Sequence, residues 1–153
     1  MKGTEVNISD FKHKYKVTVR FSEVDMLGVT NNAVYINFFE DARLQYIKEA
    51  GLLPPNGIFS DGSLFFIVRN EINYRSHSRY DDELTVYTSI SYVKNSSFGF
   101  RHLVVNNSSG EVIADGSGVI VHVDPGTRKA LPLGDEFISK IKAFEPNAEI
   151  LRR

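Results

Sequence analysis

One long helical pattern followed by four strand-like segments is the feature that most restricts how this chain can fold. Between residues 33 and 50, apolar side chains recur at spacings of three and four around much of the helix circumference. The segments 64–76, 83–94, 98–107 and 111–124 that follow are each rich in β-branched and aromatic residues. A helix with so much apolar surface needs a wide apolar partner, and these strands can form a sheet that wraps around it.

Two shorter patterns complete the order of elements. Residues 15–21 alternate apolar and polar side chains, which indicates a half-buried strand before the helix. Residues 135–144 carry apolar side chains at helical spacing, which predicts a short last helix. Short connections between the four later strands predict an antiparallel meander. The whole order predicts one α+β domain over residues 1–153.

Length and composition exclude several classes of protein. The 153 residues can bury a core without covalent staples, and the absence of cysteine excludes disulfide scaffolds and thiolate nucleophiles. The four histidines lack metal-ligand spacing, so we expect no metal site. A formal net charge of −1 gives no reason to expect nucleic acid. The longest apolar run, residues 64–68, is too short for a membrane span, and residues 1–15 lack a secretory pattern. We expect a cytoplasmic protein without a membrane partner.

A series of short motifs in a fixed order resembles one enzyme family. The motifs are RFSEVD (20–25), GVTNNA (28–33), Tyr35, EDAR (40–43), INY (72–74), YDDEL (80–84), SSF (96–98), ADG (114–116) and KALP (129–132). Together they are similar to the hot-dog acyl-CoA thioesterases of the 4-hydroxybenzoyl-CoA thioesterase-like family, over about residues 14–143. The resemblance implies a curled antiparallel β-sheet around one long central α-helix. Asn32 and Phe21 depart from it, since some members carry a histidine and an aromatic hydroxyl at these positions.

The carboxylate of Asp25, just before the helix, has two interpretations. It can close the turn before Gly28 by accepting hydrogen bonds from backbone amides. The resemblance implies instead that Asp25 is catalytic, either as a general base that activates water or as a nucleophile that forms an anhydride. We expect it to be buried near the apolar helix, and Glu40 is the alternative catalytic carboxylate.

The start of the long helix is the expected oxyanion site. The first amides of a helix have no partner within it and carry partial positive charge, which suits the developing oxyanion of a thioester carbonyl. The backbone N–H groups of Asn32 and Ala33 are the candidates. Asn31 or Asn32 can also act as the helix cap, which does not conflict with this role.

The substrate-binding residues are implied by the resemblance alone. Coenzyme A carries phosphates, so cations and amides are expected where it binds, between the third and fourth strands. The candidates there are Lys94, Asn95, Ser96 and Ser97, with Arg75 and Arg79 as further cations. The candidates for an acyl channel are Phe38, Phe39, Phe65 and Phe66. Each of these residues can equally be ordinary surface or core.

The predicted activity is hydrolysis of an acyl-CoA thioester to the free acid and coenzyme A. No cofactor is expected, because coenzyme A is part of the substrate; an acyl carrier protein thioester is the other candidate substrate. The exposed edge of the strand at 64–76 favours edge-to-edge pairing of two copies, and the resemblance implies a homodimer or homotetramer with each site at the subunit interface. The alternatives are a non-catalytic acyl-CoA-binding protein and an acyl-thioester hydratase or dehydratase.

Overall fold

The computed structural model describes residues 7–54 and 62–151. Its helices and strands are β1 (His13–Thr18), α1 (Val34–Glu49), β2 (Leu64–Tyr74), β3 (Glu83–Val93), β4 (Ser97–Asn106), β5 (Val112–Val123), α2 (Asp135–Phe144) and β6 (Glu149–Ile150). Each predicted element is present, although β1 begins and ends earlier than predicted. The predicted 1–153 domain and a turn-rich loop at 53–63 extend beyond the described residues.

One antiparallel sheet curls around α1. Its strands lie in the order β1-β3-β4-β5-β2, and the short β6 pairs with β3 in the parallel direction. The α+β prediction of a curled sheet around one long helix is therefore confirmed.

The predicted four-strand meander is wrong at β2. Strands β3, β4 and β5 are consecutive neighbours, whereas β2 pairs with β5 from Leu64 opposite Val123 to Tyr74 opposite Ala114. The reason is the connection 75–82, which is long enough to carry the chain from one side of the sheet to the other. In the described part of the chain β2 pairs only with β5, so its other side is a sheet edge.

The edge strand β2 exposes apolar side chains. Phe66, Ile67 and Val68 are 36%, 38% and 59% exposed, and Tyr74 is 47% exposed. The pairing with β5 shifts register between Ile67 and Arg69, so Val68 occupies a β-bulge. An edge of this kind favours association with another strand.

The helix α1 packs closely on the sheet because of a glycine in β5. A Cβ atom at Gly116 would collide with the carbonyl oxygen of Glu71 and lie 2.7 Å from the ring of Phe39. The glycine therefore allows Phe39 to lie against the sheet, where its ring stacks on His102 with centroids 4.3 Å apart. Two apolar clusters, one around Phe39 and one around Tyr46, form the core along α1.

Three basic side chains are buried between α1 and the sheet, and one of them, Arg43, belongs to α1. The Nδ1 of His13, one terminal nitrogen of Arg43 and the Nε2 of His102 have no hydrogen-bond partner among residues 7–54 and 62–151. His102 Nδ1 lies 3.0 Å from the hydroxyl of Thr88. Burial lowers the pKa of His102 well below its usual value, and the neighbouring Arg43 and His13 add to this effect. Burial also lowers the pKa of His13, opposed by Glu49.

We predict that the protein loses stability as the pH falls below about 6.5, the usual pKa of an unfolded histidine. Because the folded state lowers the pKa of His102, the unfolded chain binds more protons in this range and is favoured by acid. The test is urea unfolding at pH 7.5, 6.5 and 5.5. His102→Gln should reduce the dependence on pH, whereas His77→Gln, at an exposed position, should leave it unchanged. Equal slopes for all three proteins would contradict the assignment.

Candidate active site

A tight loop presents Asp25 at the end of the sheet. The Asp25 N–H donates to the Val29 carbonyl at 2.9 Å, and the Gly28 N–H donates to the Asp25 carbonyl at 3.0 Å. Gly28 has a φ of 78°, a conformation that glycine adopts without strain. Asp25 Oδ1 accepts a hydrogen bond from the Leu27 N–H at 2.8 Å. Asp25 thus closes the turn with one oxygen, while its Oδ2 has no donor within the described ranges and is open to a ligand.

The prediction that Asp25 is buried is wrong for the single chain. Asp25 is exposed, because its loop projects from the end of the sheet rather than folding back onto α1. The neighbouring apolar side chains are exposed as well: Met26 is fully exposed, and Leu27 and Phe21 are 85% and 77% exposed. The loop therefore combines a carboxylate with large uncovered apolar groups.

The start of α1 is capped by Asn31 rather than Asn32. The Oδ1 atom of Asn31 accepts from the Ala33 N–H at 2.9 Å, and its carbonyl accepts from the Val34 N–H at 2.9 Å. The Ala33 amide is thus already occupied in this conformation. The Asn32 carbonyl accepts from the Tyr74 hydroxyl at 3.0 Å, whereas its N–H has no acceptor in residues 7–54 or 62–151. Of the two candidate oxyanion donors, the N–H of Asn32 is the open one.

Asp25 and the start of α1 are held side by side by backbone contacts. Val24 and Thr30 form an antiparallel bridge, and the Asn31 N–H donates to the Glu23 carbonyl at 2.8 Å. The carboxylate of Asp25 and the amide of Asn32 flank this bridge. The structure therefore brings together two of the three predicted catalytic groups at one end of the sheet.

A buried serine in the connection 75–82 supports this end. Ser78 Oγ lies 2.6 Å from the hydroxyl of Thr30 and 2.7 Å from that of Tyr35. All three residues are at most 2% exposed. Ser78 thus ties the loop before the helix, the first turn of α1 and the connection together. Sequence reasoning missed it, because a single serine in a polar segment has no periodic signature.

The predicted coenzyme A contacts lie at the opposite end of the sheet. The Lys94 N–H donates to the Ser97 carbonyl at 2.7 Å, and the carbonyls of Asn95 and Ser96 accept from backbone amides of the segment before α2 and of β5. Because β3 and β4 are about ten residues long, this hairpin is about 30 Å from Asp25. One chain does not bring the predicted catalytic and binding residues together.

The other charged candidates have different surroundings. Arg75 is paired with Asp115, since its Nε donates to Oδ2 at 2.7 Å. Arg79 is joined to Val29 by a β-bridge next to the Asp25 loop, and its guanidinium has no ion-pair partner in the described chain. Glu40 lies on the exposed side of α1. Arg79 is therefore the cation that remains available near Asp25.

An apolar cavity of about 160 Å³ lies at the end of the sheet that also carries Lys94. The described residues that line it are Leu44, Ile47, Leu52, Leu53, Pro54, Ser63, Phe65, Phe98, Ile120 and Phe137. Of the predicted channel residues, only Phe65 lines it. Phe38 and Phe39 belong to the core, and the ring of Phe66 lies against Arg128, 5.3 Å from its guanidinium carbon. The sequence pattern identified these positions as apolar, but it could not show which of them face a cavity.

Residues 7–54 and 62–151 contain neither a metal-binding cluster nor a membrane-spanning helix. No group of three histidine, aspartate or glutamate side chains there is arranged to hold a metal ion. Within the same ranges, neither helix has the length and apolar character of a membrane span.

Comparison with known proteins shows to which family this chain belongs. A family model described as the thioesterase-like superfamily matches residues 19–141. This chain belongs to that superfamily. The matched range includes Asp25, Asn32 and the Lys94–Ser97 hairpin. The predicted family, the hot-dog fold and the class of thioester hydrolase are confirmed.

Three members illustrate the similarity. The uncharacterized protein YsmA of Bacillus subtilis (strain 168) is 30% identical over 128 residues, 84% of each chain. The long-chain acyl-CoA thioesterase FadM of Escherichia coli (strain K12) is 27% identical over 127 residues, 83% of this chain and 95% of FadM. A crystal structure of a thioesterase from Thermus thermophilus, complexed with coenzyme A and Zn, is 31% identical with a TM-score of 0.77, covering 91% of this chain and 98% of the other.

We predict that Ser78→Ala lowers the free energy of unfolding by about 1–3 kcal/mol, because it leaves the buried Tyr35 hydroxyl without its partner, whereas the Thr30 hydroxyl keeps its bond to the carbonyl of residue 78. Urea unfolding measures this change. Ser139→Ala is the matched control, since Ser139 is exposed on α2 and its removal should change stability by less than about 0.5 kcal/mol. Equal effects of the two substitutions would show that Ser78 does not support the loop.

Proposed function

We propose that this protein hydrolyses acyl-CoA thioesters, with Asp25 as the catalytic carboxylate and the Asn32 N–H as the oxyanion donor. The observation that carries the proposal is the open Oδ2 of Asp25 beside the open N–H at the start of α1. The similarity to FadM, named a long-chain acyl-CoA thioesterase, supports the substrate class. So does the Thermus thermophilus relative, whose structure contains coenzyme A.

The reaction needs a nucleophile and a place for negative charge. Asp25 Oδ2 takes a proton from water as the water oxygen bonds to the thioester carbon, and the carbonyl electrons move to the oxygen that accepts from the Asn32 N–H. When this intermediate collapses, the C–S bond breaks and the thiolate of coenzyme A leaves. The proton passes from Asp25 to the thiolate. A thiol with a pKa of about 8.5 leaves without a strong general acid, so one carboxylate is sufficient.

A second route uses the same oxygen as the nucleophile. Asp25 Oδ2 then bonds to the thioester carbon itself, the thiolate leaves, and water hydrolyses the resulting anhydride to the acid and the free carboxylate. Both routes need an unbound Oδ2 and an oxyanion donor. They differ in whether the first new bond to the acyl carbon comes from water or from Asp25.

The site is proposed to be complete only in a pair of chains. A two-fold antiparallel pairing of β2 with its copy would place the Asp25 end of one sheet beside the Lys94–Ser97 end of the other. A pairing centred on Asn70 would also set Arg69, which forms an ion pair with Glu71 of its own chain, opposite the partner's Glu71. The exposed apolar groups beside Asp25 support this assembly, because such groups mark interaction surfaces. A tetramer would combine two of these dimers.

A non-catalytic acyl-CoA-binding protein is the alternative that one observation favours. The Oδ1 atom of Asp25 is engaged in closing its own turn, as a purely structural residue would be. Measuring thiol release by the Asp25→Asn variant and by the unaltered protein distinguishes catalysis from binding alone.

Asp25→Asn should lower kcat/KM for acyl-CoA hydrolysis by at least about a hundredfold, because general-base catalysis typically contributes that factor. The substitution keeps the size of the side chain and removes the base. Thiol release from acyl-CoAs of several lengths measures the effect. Asp41→Asn, at an exposed position on α1, is the control and should retain activity.

The outcomes of this experiment are distinct. Turnover that survives in Asp25→Asn would move the chemistry to another carboxylate, with Glu40→Gln as the next variant. Absence of turnover by the unaltered protein, together with measurable binding of acyl-CoA, would identify a binding protein.

The pairing of β2 can be tested separately. Val68→Lys introduces a charge on the exposed bulge of the edge strand, so we expect the mass in solution to fall to that of one chain and kcat/KM to fall at least about tenfold. Light scattering and thiol release measure the two effects. Ile8→Lys changes another exposed apolar residue, 44% exposed and outside the sheet, and should leave both unchanged. A stable Val68→Lys dimer with normal activity would exclude this interface.

A further inference from the structure

The lining and the volume of the apolar cavity indicate which kind of acyl group it can hold. We call it the acyl cavity; it lies between the second half of α1, the start of β2 and α2. Apart from Ser63, its described lining residues are all apolar, and none is charged. A hydroxyl or carboxylate placed deep in such a space would lose its hydrogen bonds to water with little in return. The lining therefore fits a hydrocarbon.

The size of the acyl cavity indicates how much hydrocarbon it holds. Its volume is about 160 Å³. An engineered protein cavity of about 150 Å³ with Leu, Ile and Phe in its lining stays dry and binds benzene. By this measure, the acyl cavity holds roughly six carbon atoms.

Aromatic rings from three different elements form one wall of the acyl cavity. The ring of Phe65 in β2 stacks on Phe137 of α2, with centroids 5.5 Å apart and planes at 19°. Phe98 of β4 lies 5.5 Å from Phe137 and 6.1 Å from Phe65. On its other side Phe65 stacks on His122, 4.9 Å away. Phe65 is thus fixed from two directions, whereas Phe137 is half-buried and held by the helix that carries it.

The short helix α2 is itself firmly anchored. Ile141 in α2 and Leu133 just before it are 0% and 1% exposed and belong to the same apolar cluster as Tyr46. Phe137 therefore projects onto the acyl cavity from a fixed support. Removing its ring would extend the cavity toward solvent without removing the residues that hold α2 in place.

The proposed pairing of chains connects the acyl cavity to the reaction. With β2 centred on Asn70, the start of the strand, which carries Phe65 and Phe66, lies beside the end of the partner strand. In each chain the Tyr74 hydroxyl bonds the Asn32 carbonyl at the start of α1. The acyl cavity of one chain would thus face the catalytic loop of the other. An acyl chain bound by its thioester at one helix start can extend into the acyl cavity of the partner.

We propose that the acyl cavity receives the end of an unsubstituted aliphatic chain, and that Phe137 determines how long this chain can be. The inference rests on the proposed function and specifies its substrate class. It assigns a role in specificity to α2, which contributes nothing to the catalytic loop. Hydroxylated aromatic acyl groups are excluded as preferred substrates, because their hydroxyl would be buried against the aromatic wall.

Hydrolysis of straight-chain acyl-CoAs with four to sixteen carbons, and of 4-hydroxybenzoyl-CoA, tests this proposal. For the unaltered protein, kcat/KM should rise about fourfold for each methylene that enters the acyl cavity, and then stop rising. Phe137→Ala should move the preferred length upward by at least two carbons. Ile47→Phe, which adds a ring to the lining, should move it downward. Ile138→Ala removes an apolar group from the same helix but not from the lining and should leave the preferred length unchanged.

A binding measurement separates this proposal from the proposed function. Calorimetry with S-alkyl-CoA thioethers, which cannot be hydrolysed, gives affinities for each chain length in the same four proteins. Affinity that follows chain length and shifts in opposite directions in Phe137→Ala and Ile47→Phe would support the acyl cavity even if no thioester were hydrolysed. Normal hydrolysis with one length profile in all four proteins would overturn the proposal and leave the function intact. Preference for 4-hydroxybenzoyl-CoA over every aliphatic substrate would overturn it as well.

Discussion

The contact between α1 and the inner face of β5 is the constraint on which the rest of the structure depends. Gly116 leaves room for Phe39, and Phe39 in turn covers His102. This contact allows the helix to lie close to the sheet. The start of α1 then lies at one end of the sheet beside Asp25, and its second half lies at the other end, where Leu44 and Ile47 line the acyl cavity.

The length of α1 supports the proposal that the site is complete only in a pair of chains. A helix of 16 residues is about 24 Å long, so the proposed catalytic loop and the acyl cavity of the same chain lie toward opposite ends of it. The proposed two-fold axis through the edge strand β2 would place the opposite ends of two chains side by side, since it inverts the direction of one sheet relative to the other. The exposed apolar side chains of Phe66, Ile67 and Val68 lie on the strand that such an axis would use.

The sequence predicted what depends on local periodicity and missed what depends on tertiary placement. Alternation and helical spacing located α1, α2 and the strands, and the turn at Asp25 followed from its position before Gly28. The placement of β2 beside β5 was missed, because nearness in sequence favours pairing of consecutive strands and the connection 75–82 overrides it. The engagement of the Ala33 amide by Asn31 depends on one side-chain conformation that no sequence pattern specifies.

Ser78, which supports the proposed catalytic loop, also affects the order in which contacts form during folding. Ser78 joins Thr30 across 48 positions of sequence, so the bond that secures the loop closes a long stretch of chain. Contacts of such separation form late, because the entropy of the intervening chain must first be lost. A nascent chain that ends before residue 78 can form α1, the turn at Asp25 and the backbone contacts between them, but it lacks the Ser78 hydroxyl that ties the loop to the first turn of α1. The support that Ser78 gives to the proposed catalytic loop is therefore acquired only after the connection to β3 has been made.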